Sequence, residues 1–193
     1  MITTEQIKEL RDATGVSVMQ CRKALEEAGG DREKAIIILR KKSKEVAEKK
    51  GDRTLASGVV ASYIHAGGSV GTLVELSCET DFVARNEEFK KLAYDIAMHV
   101  AALNPEFLKL ADIPQEIKDK VTAVFLPEVA DKPKNMQGKI LEGKLNAYFK
   151  ERILLEQLFV KDQELTIQNL IEAAVQKFGE KLEVRRFTRF SIH

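Results

Sequence analysis

Along residues 1–40 apolar positions recur at helical spacing and are interrupted by glycine. Thr3 and Gln6 form a capping-box pattern, and Ile7 and Leu10 follow on one helix face. Gly15 supplies a stop. Ser17 and Gln20 repeat the box, with Cys21, Ala24, Leu25 and Ala28 on one face and Gly29-Gly30 behind them. Asp31 is a good N-cap for a third helix carrying apolar Ala35, Ile36, Ile38 and Leu39. The pattern predicts a small three-helix head over 1–40, with a thin core and marginal stability of its own. Over 41–54, which opens KKSKEVAEKKGDR, the apolar stripe fades and charge dominates. This predicts a helical tail running into a solvated linker.

From residue 55 the pattern changes. SGVVASYIHAGGSVGTLVELSC reads as two strands joined at Gly67-Gly68, with Val70, Thr72, Val74, Leu76 and Cys78 sharing one face of the second. Glu79-Thr80-Asp81 breaks that strand, and Asn86 is placed to cap a helix whose first turn holds Glu87 and Glu88. Phe89, Leu92, Ala93, Ile96, Ala97 and Val100 make its apolar face, and Asn104-Pro105 ends it. Residues of about 114–152 read as a helix hairpin turning near Pro133-Lys134, with Pro127 kinking or ending the first arm. Thr166 starts a helix with Ile167, Leu170, Ile171, Ala174 and Val175 inward and Gly179 as its stop; LEVRRFTRFSI alternates as a strand. The fold class expected is α+β. A three-helix, ubiquitin-associated-like bundle leads into a core (55–193) with a small antiparallel sheet covered by helices and a protruding helix hairpin.

Composition narrows the function. Of 193 residues, 44% are hydrophobic and 32% charged, the balance of a folded globular chain. Lys+Arg is 31 against Asp+Glu 30, a net charge of +1, which lacks the basic excess of a dedicated nucleic-acid binder. No apolar run approaches the roughly 20 residues of a membrane span, and MITTEQIKEL has no signal-peptide pattern. The expected compartment is the cytoplasm, or an organelle matrix after removal of a transit peptide. Cys21 and Cys78 lie far apart and form no C-x-x-C, so neither a disulfide scaffold nor a thiolate zinc site is expected.

Catalytic motifs are sparse. There is no phosphate-binding G-x-x-x-x-G-K-[ST] loop and no G-x-G-x-x-G turn. His65, His99 and His193 lack the i, i+4 partner of a helical zinc site, and His99 sits in an apolar helix as a packed structural histidine would. A Cys78–His65 nucleophile pair across adjacent strands is conceivable, without an orienting third group. Glu79 and Asp81 read as solvated caps on a turn. Neither a cofactor nor a metal site is expected. Lys41, Lys42, Lys44, Lys49, Lys50 and Arg53 could form an RNA-binding stripe, but the interleaved Glu45 and Glu48 favour a solvated face. The segment Thr80-Asp81-Phe82-Val83-Ala84-Arg85-Asn86 is unusual in placing Phe and Val where turns are normally polar. Either both plug their own core, or the aromatic ring is an exposed anchor for a partner's pocket.

At this segment the chain resembles the elongation factor Ts family. The resemblance includes Leu10-Arg11-Asp12-Ala13-Thr14-Gly15, Cys21 through Glu26, Tyr63-Ile64-His65, Val74-Glu75-Leu76 and Cys78 through Asn86. It continues through Ala97 to Ala102, Asn104-Pro105, Leu155-Glu156-Gln157, Phe159-Val160 and Arg185-Arg186-Phe187. It implies guanine-nucleotide exchange, without an enzymatic step, on elongation factor Tu, met in its GDP-bound and nucleotide-free states. By that resemblance Asp81 and Phe82, flanked by Thr80, Val83, Arg85 and Asn86, enter the GTPase near its magnesium and phosphate site. His65 presses on the same region, and Lys8, Arg11, Val18 and Met19 match the head's contact surface. The chain is similar to the short, single-core members, expected to act as dimers through the core; neither membrane nor direct nucleic-acid binding is expected. Three departures stand out. Thr188 replaces a cysteine of some short members, so no disulfide across the dimer is expected. Leu158 replaces a usual proline, and Pro127 interrupts the hairpin.

Overall fold

Local sequence signals set the helix boundaries in the computed structural model, which describes residues 2–192. Helix α1 (Thr4–Thr14) opens on a complete capping box: Gln6 N donates to Thr3 Oγ1 and Thr3 N to Gln6 Oε1. It ends at Gly15, whose φ of 68° is the left-handed conformation that favours glycine. Ser17 caps α2 (Val18–Glu27), but only half of the expected box forms, because Gln20's carboxamide accepts from the Ser17 hydroxyl. Asp31 caps α3 (Arg32–Lys49) through Lys34 N at 3.1 Å. Leu10, Val16, Cys21, Ala24, Leu25, Ala35 and Leu39 form the head's core.

The charged stretch is the helical tail the sequence predicts, followed by a mostly exposed connection over 50–56, but one face of the tail is packed rather than solvated. Helix α3 runs unbroken to Lys49 and packs on the last helix, α8 (Ile167–Phe178). Ser43 is buried, donates to Leu39 O at 3.0 Å and bonds Gln176. Val46 and Ala47 rest against the main core. Leu39, Ser43 and Ala47 lie four residues apart on one face. This face offers too few apolar positions within a charged stretch to mark a stripe, which is why it read as solvated.

The sheet has strand order β1-β2-β5, all antiparallel, from β1 (Ser57–Ile64), β2 (Val70–Cys78) and β5 (Leu182–Ser191). Gly58 is required in β1, since a Cβ there would lie 2.5 Å from Leu76 O. Thr72, Val74, Leu76 and Cys78 point inward as the alternation predicts, beneath α5 (Glu87–Leu103) and α8. Phe89, Ala93, Ile96, Ala97 and Val100 of α5 are fully buried. Asn104 stops α5 in the left-handed region at φ 47°. The outer sheet face is uncovered and carries exposed Val60, Ile64, Leu73 and Phe190. Thr188 lies opposite Leu73 on β2.

Between α5 and α8 stands the hairpin of α6 (Gln115–Val129) and α7 (Lys134–Lys150), joined through Pro133. Helix α6 ends two residues past Pro127, whose missing N–H removes a bond from its last turn. Gln137 Nε2 donates to Ala130 O and Lys132 O, closing the turn. Phe125 and Tyr148 meet edge to face at 5.9 Å between the arms. A two-strand ribbon, β3 (Leu158–Phe159) with β4 (Asp162–Thr166), was not expected; its strands are too short to show a period. Leu158 is exposed, so the departure from proline leaves the core untouched. His99 fixes the ribbon from beneath: its Nδ1 accepts from Val160 N at 3.2 Å and its Nε2 lies 3.0 Å from Gln157 Oε1.

Candidate functional site

The Thr80–Asn86 segment folds as a one-turn helix, α4 (Asp81–Ala84), between β2 and α5. Thr80 is its N-cap, with Oγ1 accepting from Val83 N at 3.5 Å and its carbonyl from Ala84 N at 3.2 Å. Asn86 closes the segment by capping α5, its Oδ1 accepting from Glu88 N at 2.8 Å. Consecutive helical residues lie about 100° apart, so neighbours cannot share a direction. Val83 and Ala84 turn inward, at 4% and 7% exposure, and join the main core. Phe82 turns out, at 80% exposure, the most exposed large apolar side chain among the described residues. The two readings of this segment are thus divided between its residues: Val83 plugs its own core and Phe82 does not. Asp81 and Arg85 flank the ring and pair at 2.9 Å. With Phe82 and Asn86 they line a shallow cleft of about 400 Å³.

Two carboxylates brace the tip from behind. Glu79 accepts from Lys181 N at 2.5 Å and pairs with Arg53 at 3.1 Å, so it is not the solvated cap expected of it. Partial burial pushes its carboxyl up, but the Lys181 amide and Arg53 outweigh this and hold it below the ordinary glutamate range. Glu180 accepts from Glu79 N, Thr80 N and Thr80 Oγ1. Sequence reasoning missed Glu180, which follows a helix stop and belongs to no motif.

His65 is not part of this tip. It follows β1, is exposed, and has its Nδ1 3.2 Å from Tyr63 Oη. Ile64 lies opposite Gly71, and Ser57 opposite Cys78. His65 and α4 therefore lie at opposite ends of the β1–β2 hairpin, roughly 20 Å apart at about 3.3 Å per residue. The same register overturns the Cys78–His65 pair. Cys78 is fully buried, with its thiol donating to Thr80 O at 3.1 Å. Burial, then the Glu180 charge, raise its pKa, the reverse of what a nucleophile needs.

On the head, Lys8 and Arg11 are exposed on α1, and Val18 and Met19 on the first turn of α2, at 50% and 69%. Ile37, at 63% exposure, is a further apolar residue of the head that the helical pattern did not single out. In the basic stripe, Lys42 pairs with Glu27, Lys50 donates to Gly179 O, and Arg53 holds Glu79. Three of its six cations are thus bound within the chain. Among the described residues no group of three or more His, Cys, Asp or Glu side chains could hold a metal ion.

The class so defined is an α+β protein with a three-helix head and an exposed aromatic residue on a braced one-turn helix. The family model described as elongation factor TS matches residues 47–193. Curated proteins named elongation factor Ts match over nearly the whole chain. That of Thermosipho melanesiensis is 48% identical over 194 residues, covering 100% of this chain and 99% of that protein. That of Thermodesulfovibrio yellowstonii is 49% identical, covering 99% and 96%. That of Acaryochloris marina is 50% identical, covering 98% and 80%. The chain belongs to the elongation factor Ts family.

Proposed function

We propose that this chain is a guanine-nucleotide exchange factor for elongation factor Tu in translation elongation, acting by binding and without an enzymatic step. The observation that carries this reading is Phe82, held out at 80% exposure by a helix whose next two residues are buried. Asp81 and Phe82 enter the GTPase near its magnesium and phosphate site, the ring wedges between two helices, the metal loses its hold, and GDP leaves. Thr80, Arg85 and Asn86 border that contact, and Val83 anchors it from within. The proposed place of action is the cytoplasm or an organelle matrix, where translation runs; separately, no helix of the described residues is long and apolar enough to cross a membrane.

One ring is insufficient. Burying a Phe contributes about 2–3 kcal/mol, whereas loosening a nucleotide a thousandfold needs roughly 4 kcal/mol of coupling. Coupling is reciprocal, so GDP weakens the factor's own binding equally. The head, through Lys8, Arg11, Val18 and Met19, supplies a second contact. His65 supplies a third, separate from Phe82. A second copy, docked through the core, supplies more. The uncovered outer sheet face, with Val60, Ile64, Leu73 and Phe190 exposed, supports that dimer. Thr188 on this sheet offers no thiol for a covalent link. The test is release of fluorescent GDP from elongation factor Tu. The chain accelerates release in proportion to its concentration until saturation; an unaltered rate refutes the exchange reading.

A further inference from the structure

The exchange tip is joined to the turn after α8 by a reciprocal clasp. Glu180's carboxylate takes Glu79 N at 3.1 Å, Thr80 N at 3.0 Å and Thr80 Oγ1 at 2.6 Å. Glu79's carboxylate in turn takes Lys181 N at 2.5 Å. Each segment thus satisfies the other's backbone donors with a charged acceptor, the stronger kind of hydrogen bond. Thr80 relays the hold outward, since the hydroxyl that donates to Glu180 also accepts from Val83 N. Cys78 Sγ donates to the Thr80 carbonyl from the core side. All of Thr80's polar groups are therefore engaged, and Thr80 is the cap of the helix that carries Phe82.

The clasp also reaches the segment that follows α3. Arg53, which pairs with Glu79, lies just past the end of α3. Lys181 Nζ donates to Gly51 O and Lys50 Nζ to Gly179 O. Three segments remote in sequence are thereby pinned behind one exposed ring.

We propose that Glu180 is a positioning residue for exchange, touching no partner itself but holding Thr80 so that Phe82 is presented ready to insert. This rests on reading Phe82 as the exchange wedge. A one-turn helix has too few internal bonds to persist alone. Without the Glu180 carboxylate, two amides and a hydroxyl lose their acceptor and the tip samples other conformations. When only a fraction of molecules is competent, apparent affinity falls by that fraction. Saturating partner still selects the competent tip, so the maximal rate survives.

The experiment compares the full chain with Glu180→Ala and Glu180→Gln in fluorescent-GDP release from elongation factor Tu. Amide hydrogen exchange and thermal melting of each free chain are recorded alongside. In Glu180→Ala the half-saturating concentration rises about tenfold at unchanged maximal rate, with residues 79 and 80 exchanging faster while the melting transition is retained. Glu180→Gln, which keeps the length and one acceptor oxygen, falls between. Unchanged exchange at residues 79 and 80 overturns the clasp, whether or not the chain is active on the GTPase. Faster exchange with no kinetic change, or a reduced maximal rate at unchanged half-saturation, overturns the positioning role. A wild-type chain that fails to accelerate release defeats the exchange reading instead, and amide exchange still decides whether Glu180 orders the tip.

Discussion

Replacing Phe82 by Ala should separate function from folding almost completely. The ring is 80% exposed, so roughly a fifth of the about 2–3 kcal/mol available from burying a Phe is realised within the subunit, near 0.5 kcal/mol. Alanine's better helix propensity returns about the same amount. The melting temperature should therefore move by no more than a few degrees. On the proposed wedge reading the partner buries the remaining four fifths of the ring, worth about 2 kcal/mol, and its loss should lower the second-order rate of GDP release roughly 15- to 60-fold. Its neighbour supplies the opposite control. Val83 is 4% exposed within the main core, and Val83→Ala should cost roughly 1–3 kcal/mol of stability by leaving a cavity. The assay is stopped-flow release of fluorescent GDP from elongation factor Tu, beside calorimetric melting of both variants. An unimpaired rate in Phe82→Ala refutes the wedge, and a large loss of stability in that variant refutes the exposure on which it rests.

Further outcomes follow from other parts of the fold. Burial holds the His99 imidazole below the ordinary histidine range, against a smaller raising effect of the Gln157 hydrogen bond. The unfolded chain then takes up a proton first as pH falls, so stability is full above about pH 6.5 and declines below it; urea midpoints across pH 5–8 should show this slope, and His99→Leu should flatten it. Ser43→Glu forces an unpaired charge between α3 and α8 and should expose the segment around residues 50–56 to limited proteolysis. Gly58→Ala sets a methyl 2.5 Å from Leu76 O, a backbone atom that cannot swing aside, and should cost roughly 1–3 kcal/mol by thermal melting. For the proposed dimer, Leu73→Lys with Phe190→Lys charges the outer sheet face and should leave a monomer in sedimentation where the unaltered chain sediments as a dimer, without loss of helix signal.

Elements with a local cause were legible in the sequence. Thr3, Asp31, Asn86 and Thr166 each cap the helix their position announces, and Gly15, Asn104 and Gly179 each stop one in the left-handed conformation. The alternation of β2 named its inward face, because a strand's period forces successive side chains apart. Asp81, Phe82, Arg85 and Asn86 were found as a group because they adjoin in the chain. What only the tertiary structure decided are relations between distant segments. The docking of α3 on α8 uses Ser43, Val46 and Ala47, too few apolar positions within a charged stretch to mark a stripe. The separation of His65 from Phe82 follows from strand register. The outward turn of Phe82 beside the inward turn of Val83 depends on how α4 is seated, and Glu180 holds its cap from 100 residues away in sequence. A cap or a turn is decided by bonds within a few residues, which composition and spacing encode. A brace between remote segments exists only once folding has brought them together.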